Sequence, residues 1–245
     1  METRYLNKGL LDNARLLNSS YNNESSLFVI EDKILKILNM KKRDEERKET
    51  VIRLGEYEND ECCLPEFLIS ESPKKDDFSG FGMTYYYDYA ELIRIINTLT
   101  FKERFNLAKK LTLLIEGFED IKYTYIDIHF CNILVKADKI KLGDMDGGYY
   151  RNLVGNGLFR ELLSHSYHEL ARFILSLLYN TDRESCEALF RKNLNVFKRN
   201  SNNKQYKMIV EASENNGSIF HPSDLIDSFT EEYVAETAPK LTMIK

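Results

Sequence analysis

Along the first hundred positions the apolar residues come in short runs, each bounded by polar or turn-forming residues. Ser26-Leu-Phe-Val-Ile-Glu-Asp32 reads as one strand and Lys33-Ile-Leu-Lys-Ile-Leu38 as the next, joined by a tight turn at Glu31-Asp32-Lys33. Residues 40 to 54 are charged with a weak helical repeat that ends in Val51, Ile52 and Leu54. Leu64 to Ile69 and Phe81 to Tyr86 predict two further short strands, and the polar stretch Glu71 to Gly80 between them reads as an exposed loop. After Tyr87 the period lengthens. Thr100-x-x-Glu103 is a capping box, in which hydroxyl and carboxylate satisfy the free N–H groups of a helix start, and Phe101, Phe105, Ala108, Leu111, Ile115 and Phe118 follow as one apolar stripe. β-like segments interrupt the helices from Ile121 to Asp144. Helix is then predicted from Ser166 to Asn180, after a second capping box at Thr181-x-x-Glu184, and after Pro222-Ser223-Asp224, while Asn195 to Lys207 reads mainly as a connection. Strands in front and helices behind predict an α+β protein with a β-rich part, 1–87, that carries one helix, and a helical part, 88–245.

Composition narrows the classes. The 245 residues suffice for a sizeable core, and 43% apolar with 30% charged residues reads as a soluble chain. The net charge of −5 argues against bulk nucleic-acid binding, and the basic run Lys41-Lys42-Arg43 is answered at once by Asp44, Glu45 and Glu46. No apolar run approaches the ~20 residues that span a bilayer, and Met1-Glu2-Thr3-Arg4 lacks the apolar core of a signal peptide. Cys62, Cys63, Cys131 and Cys186 form no CxxC pair, so neither a zinc site nor a disulfide framework is expected, and a cytoplasmic setting fits.

The stretch that carries chemistry is Tyr125-Ile-Asp-Ile-His-Phe-Cys-Asn132, followed by Ile133-Leu-Val135, a polar turn at Lys136 to Lys139, and Ile140-Lys-Leu-Gly-Asp144-Met-Asp-Gly-Gly148. A hairpin centred on that turn pairs positions whose numbers sum to about 275, which sets Asn132 opposite Gly143 and beside Asp144. Asp127 lies in the loop that feeds the first strand. Two acids and an amide at one end of a hairpin suit Mg²⁺, a hard cation that takes one or two protein oxygens besides phosphates and water. Asp144 and Asn132 are the candidate metal ligands, and Asp127 the group that orients an attacking hydroxyl and takes its proton.

Asp127-x-x-x-x-Asn132 followed by Asp144, with a hairpin between and a long helix before, resembles the catalytic loop and metal-binding acid of the protein-kinase-like superfamily. The resemblance implies a bilobal fold, ATP and Mg²⁺ as cofactors, and a hydroxyl of a protein or small molecule as acceptor. It makes Asp127 the catalytic base and Asn132 and Asp144 the metal ligands. It also makes Lys36, on one strand face with Ile34 and Leu38, the phosphate-contacting lysine. Glu49 is then the helix acid that pairs with Lys36, with Glu46 as its rival, and Met83-Thr84-Tyr85-Tyr86 resembles the hinge whose backbone receives adenine, through Met83 and Tyr85. His129, two residues after Asp127, is similar to aminoglycoside- and choline-kinase-like members; as an ordinary residue it braces the loop.

Departures from the family pattern are equally specific. The turn before Lys36 reads Ser19-Ser-Tyr-Asn-Asn-Glu-Ser-Ser26 and is not glycine-rich. Tyr125-Ile126 replaces a His-Arg pair, Asp146 stands where glycine is usual as an extra metal ligand or a turn residue, and Ser166 stands where an anchoring Asp is common. The segment Gly147 to Leu163 is short and lacks an Ala-Pro-Glu-like motif. These departures motivate a second expectation, a pseudokinase that binds nucleotide or acts as a scaffold.

Overall fold

A computed structural model of the chain describes all residues except 8, 10–11, 18–23, 182, 215–220 and 242–245, and gives the backbone alone for 183–187 and 214. The protein is α+β. It divides into two compact units, Met1–Ala90 with Ile133–Gly148, and Glu91–Asn132 with Tyr149–Lys245. The hairpin that follows Asn132 therefore groups with the strands of the first 90 residues.

The first unit is built on a mixed six-stranded sheet of β1 (Glu2–Tyr5), β2 (Arg15–Leu17), β3 (Ser25–Ile30), β4 (Lys33–Leu38), β5 (Pro65–Ser70) and β6 (Gly80–Thr84). The order is β1-β5-β6-β4-β3-β2, with β1 parallel to β5 and the other neighbours antiparallel. β3 and β4 are joined by a tight turn where the sequence places one, but over two residues, since Ile30 faces Lys33 and Lys33 already belongs to β4; Glu31 takes a left-handed φ of 54°. Strand alternation divides β4 between two faces. Ile34 and Leu38 pack with Leu68, Phe78, Phe81 and Met83 against Val51 of helix α1 (Glu45–Glu56). Leu35 and Ile37 pack with Leu6, Phe67 and Ile69 on the opposite face. Lys36 alternates with Leu35 and Ile37, so it belongs to the α1 face, as its pattern predicts.

The loop after β5 is tied down by one acid. Asp77 accepts from the hydroxyls of Ser70 and Ser79 and from the backbone N–H groups of Glu71 and Ser72. Four bonds to its carboxylate hold it well below its usual range, at about 2, against the opposing pull of burial. β7 (Ala90–Glu91) lies across the boundary of the units.

The second unit is mainly helical. α2 (Leu92–Ile95) leads to α3 (Phe101–Gly117), whose capping box has both predicted bonds, Glu103 N–H to Thr100 Oγ1 and Thr100 N–H to Glu103 Oε2. A short antiparallel pair, β8 (Tyr123–Thr124) with β11 (Tyr149–Tyr150), closes the interrupted region. Between them in sequence, and part of the first unit, come β9 (Ile133–Lys136) and β10 (Lys139–Leu142). α4 (Arg151–Val154) precedes α5 (Asn156–Tyr179), which begins ten residues before the predicted start at Ser166. α6 (Arg183–Lys192), α7 (Leu194–Asn200), α8 (Asn203–Glu214), α9 (Pro222–Asp227) and α10 (Glu231–Thr237) complete the fold. The expected connection at Asn195 to Lys207 is thus mostly helix, because Phe197 is buried and stacks on Phe190 with centroids 4.8 Å apart. Glu184 of the second expected capping box lies outside the described side chains, as do residues 19–23 of the turn before Lys36. Among the described residues no helix is long and apolar enough to cross a membrane.

Candidate functional site

In the first unit β9 and β10 form the predicted hairpin, in the predicted register: Ile133 faces Leu142 and Lys136 faces Lys139. The chain leaves β10 through Gly143 into Asp144, whose φ of 54° and ψ of 37° are left-handed, a region Asp tolerates better than most residues because its short side chain bonds locally. A single 3-10 turn, Met145–Gly147, follows and is closed by Gly148 N–H donating to the Met145 carbonyl at 3.1 Å. The two acids flanking Met145 both meet Lys36. Its ammonium, only 2% exposed, donates to Asp144 Oδ1 and, at 2.6 Å, to Asp146 Oδ1.

Asp146 is 1% exposed and holds a second cation. Arg47, in the first turn of α1, places Nε 2.9 Å and Nη2 2.5 Å from Asp146 Oδ2, and its Nη1 reaches Glu24 at 3.3 Å. Glu24 also takes Lys42 at 2.6 Å. Burial alone would lower the pKa of Lys36, but the charges of Asp146 and Asp144 outweigh it and raise it. Burial likewise opposes ionisation of Asp146, and Lys36 and Arg47 together hold it below the ordinary carboxylate range. Each charge of the cluster thus faces an opposite one. A buried pair of this kind depends on every partner being present.

Helix α1 does not supply the expected acid. Glu49 pairs with Arg53 on its own helix at 2.8 Å, Glu46 is exposed, and the α1 residue that reaches the cluster is Arg47. The signal was in the sequence: Arg47, Val51 and Leu54 lie at i, i+4 and i+7, and the last two are fully buried. Asp146 is neither a spare metal ligand nor an idle turn residue; it is the shared counter-ion of two cations.

The second unit holds the loop. Asp127 is exposed, and its carbonyl and Oδ2 accept from Asn132 Nδ2 at 3.0 and 2.8 Å. The Tyr125 hydroxyl also donates to that carbonyl at 2.7 Å, and the Ser166 hydroxyl on α5 donates to the Tyr125 carbonyl at 2.6 Å. Ser166 thus anchors the loop. His129 braces it, with Nδ1 accepting from Cys131 N–H at 3.2 Å. Among the described residues no further partner occupies Asp127 Oδ1 or the Asn132 amide oxygen.

Met83 and Tyr85 have their backbones partly committed. Met83 lies in β6 between Ile34 of β4 and Pro65 of β5, with its side chain in the core. The Tyr85 N–H donates to the Asp32 carbonyl at 2.7 Å, and its hydroxyl accepts from Arg15 at 3.3 Å. A cavity of about 330 Å³ opens elsewhere in this unit, over Leu35, Phe67 and Ile69 with Arg4 and Lys33 at its rim. Its cations are already engaged, Lys33 with Glu66 at 2.7 Å and Arg4 over the Phe67 ring at 3.9 Å.

Among the described residues no group of three or more His, Cys, Asp or Glu is placed to hold a metal by itself. The donor set suits a magnesium ion that takes most of its ligands from phosphate and water. Asp144, whose side chain is 28% exposed, is the fitting acid, whereas both oxygens of Asp146 are taken by cations. In the second unit the Asn132 amide oxygen is a hard donor of the same class. No protein-family model matches the chain, and no curated protein matches it.

Proposed function

We propose that the chain is an ATP-dependent phosphotransferase of bilobal, protein-kinase-like arrangement, which moves the γ-phosphoryl group of Mg-ATP to a hydroxyl of a protein or small-molecule acceptor. The observation that carries the reading is the buried Lys36 ammonium held on Asp144, the acid that follows the β9–β10 hairpin. A lysine takes this environment at a cost in desolvation, and phosphate binding is a use that repays it.

The residues divide the work. Lys36 exchanges one carboxylate partner for phosphate oxygens. Asp127, exposed and with Oδ1 unoccupied among the described residues, accepts the acceptor's hydroxyl proton as the new O–P bond forms and ADP departs. Asn132 keeps Asp127 oriented through its Nδ2; its amide oxygen and Asp144 would hold the metal. Bound magnesium would supply charge neutralisation at the transferring phosphate. Ser166 and Tyr125 fix the loop so that the base is presented at one position.

A second reading, a nucleotide-binding or scaffolding module without transfer, is favoured by one observation. Lys36 and Arg47 already neutralise Asp144 and Asp146, so the cluster is stable without a ligand. Thermal unfolding with ATP, with and without Mg²⁺, tests nucleotide binding. At 100 times the dissociation constant, ATP stabilises the wild type by about 2.7 kcal/mol. That gain requires Mg²⁺ and is absent from Asp144→Asn, which keeps the left-handed backbone because Asn tolerates it. No shift in the wild type overturns the phosphotransferase reading and nucleotide binding alike, and leaves the scaffold.

A further inference from the structure

Two acids share Lys36, and they are not equivalent. Asp144 is partly open to solvent and meets the ammonium through Oδ1. Asp146 is closed off, with Oδ1 on Lys36 and Oδ2 on two nitrogens of Arg47. Arg47 is itself fixed at the start of α1, where its backbone N–H donates to the N-cap Asp44 at 2.7 Å. A single carboxylate therefore links strand β4, helix α1 and the turn after β10.

We propose that Asp146 is the positioning residue of Lys36: it remains bound to the ammonium, and ties it to α1 through Arg47, when Asp144 releases the lysine. The purpose of that positioning, presenting a charged amine to phosphate, rests on the phosphotransferase reading. The charge pattern follows from the geometry. Helix α1 brings a cation, and the acid that neutralises both it and Lys36 comes from the turn that carries Asp144. Exchange at Asp144 then leaves Lys36 bonded to Asp146, so the amine stays in place. Without Asp146, Lys36 and Arg47 would be two buried cations competing for the carboxylates of Asp144 and Glu24.

Acetylation of lysine amines by a water-soluble succinimidyl ester, read residue by residue by mass spectrometry on the nucleotide-free protein, tests this directly. In the wild type Lys36 is protected relative to the exposed Lys204, which pairs with Asp224 outside the cluster. In Asp146→Asn its labelling rises by about 100-fold while Lys204 is unchanged, because the buried amine has lost the carboxylate that ties it to α1. Glu49→Gln leaves Lys36 as protected as in the wild type. A merely structural defect has no reason to be cured by moving the charge. Positions 47 and 146 touch, so Arg47→Glu combined with Asp146→Asn relocates the carboxylate to α1 and restores protection to within about threefold of the wild type. Labelling of Lys36 in Asp146→Asn within about twofold of the wild type overturns the proposal. If Asp146→Asn fails to fold, the relocated pair decides: folding with Lys36 protected supports it, and folding with Lys36 labelled like Lys204 overturns it. Adding Mg-ATP to the wild type addresses the phosphotransferase reading separately. Further protection of Lys36 is expected, and its absence counts against that reading while the nucleotide-free labelling still decides the role of Asp146.

Discussion

At the scale of single residues, the structure turns on charges whose meaning depends on partners far away in sequence. The place of Lys36 was legible because a lysine flanked by Ile34 and Leu38 on one strand face needs a reason to be there, and the place of Asp144 because the register of the hairpin before it follows from its turn. Asp146 was not. Its two partners lie 110 and 99 positions away, and nothing in Asp144-Met-Asp146 states which of the acids will be enclosed. Asp146→Asn, which leaves two buried cations short of an anion, is expected to destabilise the fold by about 3–5 kcal/mol in urea titration. Asp144→Asn, at the more open position, is expected to cost less. Asp77 gives a pH signature outside the candidate site. Its folded pKa is depressed from 3.8 to about 2, so the stability it contributes is present above the unfolded value and lost as pH falls from about 4 towards 2. Asp77→Asn flattens the acid limb of the stability profile in that window, and an unchanged limb would show that its four hydrogen bonds do not form.

At the scale of elements, local signals did well where one rule dominated. The β3–β4 turn, the register of β9 with β10 and the cap of α3 each follow from a few adjacent residues. Strands β1 and β2 were invisible, because Glu2-Thr-Arg-Tyr5 and Arg15-Leu-Leu17 are short, largely exposed and held by neighbours remote in sequence. The start of α5 was hidden by Gly155, Asn156 and Gly157, which read as a break, although Phe159 and Leu163 are buried with Tyr167. Gly80 shows how close packing positions the lysine. A Cβ there would lie 2.0 Å from the Lys36 carbonyl oxygen, so only glycine lets β6 approach β4 at this point. Gly80→Ala forces the strands apart and is expected to cost about 1–3 kcal/mol, with faster amide exchange in β4 as the local readout. Unchanged exchange would mean that the strands accommodate the methyl without parting.

At the scale of the whole molecule, the α+β class was legible from the change of hydrophobic period near Tyr87, and the chain resolves into two compact units. The hairpin joins the strands of the first 90 residues although the helical segments surround it in sequence, an association that local pattern has no means to express. The proposed phosphotransferase activity requires both Lys36 and Asp127, which belong to different units, so phosphoryl transfer itself is the most direct test. The protein is incubated with Mg-ATP carrying a labelled γ-phosphate, and the label is followed to protein, to candidate hydroxyl acceptors and to water. The account predicts transfer by the wild type, slowed by about 10²–10⁴-fold in Asp127→Asn with nucleotide binding preserved. Nucleotide bound with magnesium but no label leaving ATP, for any acceptor offered and for the protein itself, would contradict it and leave a binding module in its place.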